Sequence, residues 1–402
     1  MANNFDVTVV SAFGRGQWLA SELKKEGLQV LFLDVSAQLG QWPAEDIEGP
    51  FGFFRSDSMG KSQKARVLLE DVYEELVEGF CVWLADGPLE FKGPISPFRL
   101  EKIFQRSGFK AIWPYLLSSF WGQTVNQESA QSSLAPLQDH FSVRKATRAG
   151  FEKSLQWLRS QGVECDKGSQ ILDFAFSVGR SQLVGFELQG DKQGVFSTGQ
   201  CVWALTSEES LFLNNKFKVF YPKLAEPEWC WLRYRIRVKE CLERSQWPLH
   251  FVLLGDECAP WTHENFLILQ RTALAEPFDV WIKLPMVQRF NTDYLKLYAE
   301  TILKTIQARL PKDTVELLSL PQESSYTFAD IGPARFPVYL QNFKPLASPF
   351  ANVYFDGPEQ WDSYNWSARF SHQEKIRHKV LSYWLSQQQK KKAENSQKQE
   401  NP

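Results

Sequence analysis

The chain has 402 residues, of which 43% are hydrophobic and 14% aromatic, so it holds enough apolar material for two packed domains. Its 45 basic and 47 acidic residues are scattered and leave a net charge of −2, which excludes a concentrated basic face for nucleic acid. The sequence shows no apolar run that could span a bilayer and no signal-peptide pattern at its start. We therefore expect a cytoplasmic protein with no nucleic-acid partner and no membrane span.

The six cysteines and five histidines follow no spacing typical of a metal site or a disulfide framework. The GxSxG, GxxxxGK[ST] and HExxH motifs are also missing from the sequence. These patterns exclude the common hydrolase, P-loop and zinc-protease classes, and we expect no metal site.

The first elements of the chain form a strand–turn–helix–strand unit. FDVTVV (Phe5 to Val10) is typical of a buried strand, and SAFGRG predicts a turn. The next segment, QWLASELKKEG, predicts a helix with Gly27 at its C-terminal end. LQVLFLD then predicts a second buried strand that ends in an acid, Asp34. This order is that of a βαβ crossover between parallel strands.

This opening segment resembles that of FAD-dependent amine oxidases, protoporphyrinogen oxidases and phytoene desaturases. In that family three glycines spaced GxGxxG are followed by an acid at the end of the next strand. Here the three glycine positions carry Ser11, Phe13 and Gly16, and the acid is Asp34. The resemblance implies a site for FAD, with its diphosphate at the start of the first helix and its ribose at the acid.

Two of the family's glycines are therefore replaced. The first glycine permits a tight turn and the second lets the backbone approach the diphosphate, whereas the third allows the helix to pack closely on the strand. Gly14 could supply the turn in a shifted loop, and Arg15 could add positive charge. The fold signal of the unit is thus stronger than its cofactor signal.

The resemblance continues at two later cofactor contacts. In AQLGQW, Gly40 remains from a GGR-like turn, and Gln41 replaces an arginine that could pair with phosphate. In the terminal flavin segment, Gly357 matches the glycine of a GD pair, and Pro358 replaces the acid. A proline has no side-chain acceptor and no N–H, so it cannot take over that contact.

Between these contacts the elements follow the family's order. Residues 64–79 are predicted to be helical, and residues 80–93 to form a hairpin with an Asp-Gly turn. A helix, a strand and a β-meander are predicted over 146–206. Alternating segments in 217–291 predict strands, and 292–311 predicts a helix.

Together these elements predict an α/β fold with a discontinuous FAD/NAD(P)-binding Rossmann-like domain and a mixed-sheet cap, or substrate, domain. A polar tail is expected to be disordered. The expected ranges are 1–65, 144–215 and 336–385 for the dinucleotide domain, 66–143 and 216–335 for the cap, and 386–402 for the tail.

Two functions are compatible with this pattern. The first is a non-catalytic role in binding a ligand or protein, with flavin binding weakened or lost, because substitutions at four cofactor contacts would each remove about 1 kcal/mol. The second is an active FAD-dependent oxidoreductase acting on an amine or an apolar or polyene substrate, in which the flavin performs the redox step. Neither a catalytic residue, a protein partner nor an oligomeric state follows from the sequence.

Overall fold

The computed structural model describes most of the chain between residues 4 and 400. The described ranges are 4–12, 14–39, 73–78, 80–85, 87–91, 96–105, 108–113, 142–146, 148–179, 181–191, 193–205, 209–210, 213, 229–239, 248–258, 263–271, 276–288, 290–309, 314–321, 348–357, 360 and 366–400. Four residues singled out above, Phe13, Gly40, Gln41 and Pro358, lie outside them.

Within these ranges strands and helices follow one another in a mixed α/β order. In chain order the elements are β1 (Asn4–Ser11), α1 (Gln17–Lys25), β2 (Val30–Asp34), β3 (Tyr73–Glu78), β4 (Phe80–Leu84), β5 (Gly87–Phe91), α2 (Pro97–Phe104), β6 (Ser142–Ala146), α3 (Arg148–Ser160), β7 (Glu164–Asp166), β8 (Gln170–Phe176), β9 (Leu183–Gln189), β10 (Gly194–Ala204), β11 (Trp229–Lys239), β12 (His250–Leu254), β13 (Phe266–Gln270), β14 (Phe278–Pro285), α4 (Thr292–Arg309), β15 (Thr314–Ser319), β16 (Val353–Phe355) and α5 (Trp366–Glu400). Short 3-10 helices lie at Ser36–Leu39, His263–Asn265 and Met286–Gln288.

The first sheet has the order β7-β2-β1-β10-β9-β8, with β16 paired to the C-terminal half of β10. The strands β7, β2, β1, β10 and β16 run parallel, whereas β9 and β8 form an antiparallel meander with β10. Parallel neighbours require a crossover connection, which α1 supplies between β1 and β2. The predicted βαβ unit and β-meander are both confirmed.

The helix α1 lies against the first sheet through its apolar face. Leu19 and Leu23, one turn apart, are fully buried with Val7 and Val9 of β1. Gly27, just past the helix, has φ of +91° and its N–H donates to the carbonyl of Lys24. The left-handed backbone there ends the helix, as the sequence predicts.

The last helix, α5, packs on α1 and then leaves the core. Ile376 and Val380 of α5 are buried in the same cluster as Leu19 and Leu23, and the rings of Trp18 and Phe370 make an edge contact at 5.1 Å. The helix continues to Glu400, through the segment that we expected to be disordered. Its last four turns are rich in Gln, Lys and Glu, which favour helix through their own backbone preferences.

The second sheet has the order β15-β11-β14-β13-β12-β4-β5 and is antiparallel except for the β12–β4 pair. The helix α4 covers one face through Leu295, Ala299, Ile302 and Ile306, which are buried with the strand residues of that face. The hairpin of β4 and β5 turns at Gly87, where φ is +116°. The predicted hairpin, strands and helix of this region are confirmed.

The helix predicted over 64–79 is wrong where the structure describes it. Residues 73–78 form β3, which pairs antiparallel with β6. The backbone hydrogen bonds that hold β3 come from a segment distant in sequence, so they are invisible to a pattern that weighs local periodicity alone. Separately, no helix in the described residues is long and apolar enough to cross a membrane.

Candidate dinucleotide-binding site

The carboxyl ends of the parallel strands bring the predicted site residues to one edge of the first sheet. Ser11 at the end of β1 pairs with Asp34 at the end of β2 and with Ala204 at the end of β10. On the other side of β10, Trp203 pairs with Phe355, two residues before Gly357. Ligands of open α/β sheets bind at such an edge, where strand order reverses.

The loop from β1 to α1 has the left-handed backbone that its glycines allow. Gly14 has φ of +79° and Gly16 has φ of +77°. The hydroxyl of Ser11 donates to the carbonyl of Arg15, and the Arg15 N–H donates to the carbonyl of Ala12 at 3.3 Å. Gly14 thus adopts a turn conformation that L-residues disfavour, while Ser11 closes the loop on itself.

Gly16 has the packing role expected of the third glycine. A Cβ at this position would lie 3.0 Å from Cγ1 of Val9 and 3.5 Å from Cβ of Ala204. The start of α1 therefore approaches β1 and β10 more closely than any other residue type would allow.

We expect Gly16→Ala to lower the free energy of unfolding by about 1–3 kcal/mol more than Gly27→Ala. Both glycines have left-handed φ values, which cost alanine about 1–2 kcal/mol. Nothing lies within 4 Å of a Cβ at Gly27, so only Gly16→Ala adds overpacking, at about 1–3 kcal/mol. Urea unfolding of both variants measures the difference, and equal losses would contradict the close approach.

The Arg15 side chain turns into the protein. Its Nε donates to the carbonyl of Ala204 at 2.9 Å, and its guanidinium forms an ion pair with Glu209. The exposed fractions of the two side chains are 2% and 0%. The positive charge of Arg15, which could have bound a diphosphate, is therefore already paired with the carboxylate of Glu209. Because Glu209 is 194 residues away, no local signal could have identified it.

Asp34 is buried at the end of β2. Its Oδ1 accepts hydrogen bonds from the N–H of Ser36 at 3.2 Å and from the Ser36 hydroxyl at 2.5 Å. Burial raises the pKa of the Asp34 carboxyl to about 7, against the smaller opposite effect of Ser36. No described residue donates to Oδ2, which therefore keeps its capacity to accept from a ribose hydroxyl. The Asp-x-Ser spacing in the sequence is typical of this local turn.

A second buried carboxylate lies beside the start of α1. Asp356, fully buried after β16, has its Oδ2 3.7 Å from where a Cβ of Gly16 would lie, and it accepts a hydrogen bond from Nε2 of Gln373 at 2.7 Å. Its backbone N–H donates to the carbonyl of Trp203 at 2.8 Å, which continues the β16–β10 pairing. Gly357, the next residue, is buried at the same edge of the sheet.

Comparisons with known proteins give matches in structure alone. A scan against protein-family models gives no match, and no curated protein matches the chain. An oxidoreductase from Methanosarcina mazei aligns with a TM-score of 0.56 at 12% identity, over 92% of this chain and 99% of that one. A geranylgeranyl bacteriochlorophyll reductase-like protein from Thermoplasma acidophilum aligns with a TM-score of 0.50 at 14% identity, over 96% and 87%. A triple mutant of the flavin-dependent brominase Bmp2 aligns with a TM-score of 0.51 at 12% identity, over 94% and 80%.

The chain shares its Rossmann-like α/β fold with these three proteins. Identities of 12 to 14% establish the fold and no more. The predicted Rossmann-like fold class is confirmed by these alignments and by the two mixed sheets.

The residues at this edge of the first sheet suit the ribose and the diphosphate of FAD unequally. The open Oδ2 of Asp34 and the absence of an acidic residue or side-chain cap in the first turn of α1 suit a ribose and a diphosphate. The diphosphate would gain less here, because the guanidinium of Arg15 is already paired with Glu209 and an acidic residue, Asp356, lies beside the helix start. The described residues thus fit the ribose of FAD better than its phosphates.

Proposed function

We propose that this chain is a divergent protein of the FAD-dependent, amine-oxidase-like class, with weakened or lost flavin binding and a non-catalytic role in binding a ligand or protein. The buried pair of Arg15 and Glu209 carries this proposal. A charge-assisted hydrogen bond contributes about 1.5–3 kcal/mol, and the guanidinium that could make one to a diphosphate is held by Glu209 instead.

Ser11 and Asp356 support the same conclusion. The Ser11 hydroxyl bonds within the loop, where the family's glycine leaves the backbone bare. The Asp356 carboxylate lies at the positive end of α1, the place that attracts phosphate in dinucleotide-binding folds. An acidic side chain at this place would lower the affinity of the helix start for an anion.

Sheet membership supports the proposed two-domain division. Every strand of the first sheet falls within 1–65, 144–215 and 336–385, and every strand of the second falls within 66–143 and 216–335. The second sheet would then form the cap that faces a ligand. A cytoplasmic location stays a prediction from the sequence.

The second candidate is an active FAD-dependent oxidoreductase acting on an amine or an apolar or polyene substrate. The open Oδ2 of Asp34 favours it, because a ribose hydroxyl could donate there. The diphosphate would lie against the backbone of Gly14 and Gly16 at the start of α1. Gly40, Gln41 and Gly357 would complete the contacts. The flavin would then accept the hydride from the substrate, and the protein would position the two.

A flavin-binding measurement separates the two candidates. We expect the purified protein to be colourless and its melting temperature to stay unchanged when micromolar FAD is added. A tight ligand at about 100 times its Kd would stabilise the fold by about 2.7 kcal/mol, which is readily detected. Retained flavin absorbance, or a clear stabilisation by FAD that Asp34→Ala abolishes, would contradict weakened binding and support the oxidoreductase.

A variant of the ion pair tests the physical cause. Glu209→Gln removes the carboxylate that holds Arg15, so FAD affinity should rise in the folded variant if this pairing is what weakens it. If the double variant Arg15→Leu, Glu209→Leu binds FAD with the same affinity as the wild type, the paired charge of Arg15 contributes nothing to FAD binding in the wild type. An affinity in Glu209→Gln no higher than in the wild type would contradict the assigned cause.

A further inference from the structure

Apolar side chains are exposed at the start of α4, on the surface of the protein. In the described ranges eight large hydrophobic side chains are exposed to solvent, and three of them lie within residues 287–297. These are Val287, Phe290 and Leu297, with exposed fractions of 86%, 66% and 65%. Single exposed hydrophobic residues are ordinary on a protein surface, whereas a group of them typically marks an interaction site.

Hydrogen bonds hold this group in one corner of the fold. The Asn291 N–H donates to the carbonyl of Gln288 at 3.0 Å, and Nδ2 of Asn291 donates to Oε1 of Gln288 at 2.7 Å. Oδ1 of Asn291 accepts from the N–H of Tyr294 at 3.1 Å, which caps the first turn of α4. The 3-10 helix that carries Val287 is therefore tied to the start of α4, next to Phe290.

Leu297 lies on the side of α4 that faces away from the second sheet. The buried residues Leu295 and Ala299 are each two positions away, which is about 200° around a helix. Exposed residues share the side of Leu297, and we call them the outer face of α4: Asp293, Lys296, Leu297, Glu300, Lys304 and Ala308.

The charged residues of the outer face alternate in sign along the helix. Asp293 is followed by Lys296, Glu300 and Lys304, so the order of signs is minus, plus, minus, plus. When the helix is read in the opposite direction, the sign at every position is reversed. Two copies of α4 that run antiparallel would therefore place opposite charges against each other along the whole face.

Pairing within one helix uses these charges only weakly. Nζ of Lys304 lies 3.9 Å from Oε2 of Glu300, and the two side chains are 80% and 65% exposed. An exposed ion pair of this kind contributes little to stability. Both charges thus remain accessible to a partner.

The apolar residues fit the same antiparallel arrangement. A two-fold axis midway between Lys296 and Glu300 passes close to Leu297, so Leu297 would pack against its own copy. Phe290 would then lie near Ala308 of the second copy, where a small side chain leaves room for the ring. A two-fold interface requires a surface that complements itself in this way.

We propose that the outer face of α4 binds the same face of a second copy of this chain, with the two helices antiparallel. A single helix pair buries less surface than the roughly 800 Å² per partner of a stable complex, so the dimer forms reversibly. The inference goes beyond the proposed binding role and requires no flavin.

Sedimentation velocity of the flavin-free, full-length protein tests the proposal over a range of concentrations. Dimerisation is expected with a Kd of about 10–100 μM, as is typical of a small interface. Leu297→Glu should weaken it about tenfold or more, because it sets two like charges against each other at the axis. Leu385→Glu is the matched control, since Leu385 is also an exposed helical leucine and lies on α5. It should change the Kd less than about twofold.

A charge exchange tests the antiparallel register. Asp293→Lys opposes like charges at both ends of the helix pair and should weaken dimerisation about fivefold. The double variant Asp293→Lys, Lys304→Asp restores opposite charges and should recover the wild-type Kd within about twofold. All four positions are exposed, so melting temperatures close to that of the wild type are expected for each variant.

Three results would overturn the proposal. They are a monomer at all concentrations up to about 200 μM, equal Kd values for Leu297→Glu and Leu385→Glu, and a double charge variant that dimerises no better than Asp293→Lys. Because FAD is left out, each of these results is distinct from the outcome of the flavin-binding measurement.

Discussion

Glu209→Gln is expected to lower the free energy of unfolding by about 3–5 kcal/mol, as is typical when one partner of a buried ion pair is removed. The Arg15 guanidinium is 2% exposed and would keep its charge without a carboxylate, although its bond to the Ala204 carbonyl remains. Urea unfolding monitored by tryptophan fluorescence measures the change.

Two further variants make this result decisive. Glu300→Gln removes one partner of an exposed pair with Lys304, in which the side chains are 65% and 80% exposed, and should change stability by less than about 1 kcal/mol. Arg15→Leu with Glu209→Leu replaces the buried pair by apolar side chains and should recover most of the loss. If Glu209→Gln is no more harmful than Glu300→Gln, the pair is not buried as described.

Asp34→Asn is expected to stabilise the protein above pH 7 and to lose this advantage as the pH falls toward about 4. The pKa of Asp34 is about 7 in the folded state and 3.8 at its ordinary value. Between these two pH values, the folded state keeps a proton that the unfolded state has released. The contribution of the carboxyl group to stability is therefore fully present at low pH and is lost as the pH rises through 7.

The expected size follows from the shift of the pKa. About three pKa units correspond to about 4 kcal/mol at high pH, because each unit is worth about 1.36 kcal/mol. Asparagine keeps an acceptor oxygen for Ser36, so the variant removes the charge of the side chain and retains its hydrogen bonds with Ser36. Urea unfolding of wild type and variant from about pH 4 to about pH 9 measures the difference, and a constant difference would contradict the assigned burial.

Local chemistry explains which parts of the fold could be read from the sequence. The positions of Gly14, Gly16 and Gly27 follow from backbone conformations that favour glycine. The strands β1 and β2 and the helix α1 were predicted from the spacing of their apolar residues. Asp34 and Gly357 reach the same sheet edge because each follows a parallel strand. These relations depend on short stretches of chain, so one sequence suffices.

Where a partner comes from far along the chain, the same reasoning fails. The segment 73–78 pairs with β6 and becomes a strand, although its local pattern was compatible with a helix. The error over the last turns of α5 has a different cause, because their residues favour helix locally and need no distant partner, so a lack of apolar spacing does not predict disorder there.

The βαβ unit and its altered glycine loop were therefore determined by the sequence itself, because a turn, a cap and a buried strand each depend on neighbouring residues. The tertiary structure decided what the loop's charge does. It brings Glu209 to Arg15 and Asp356 to Gly16, and it buries Asp34 deeply enough to raise its pKa. Electrostatic interactions depend on distance and burial in the folded chain. Both are set by packing between segments that are far apart in the sequence.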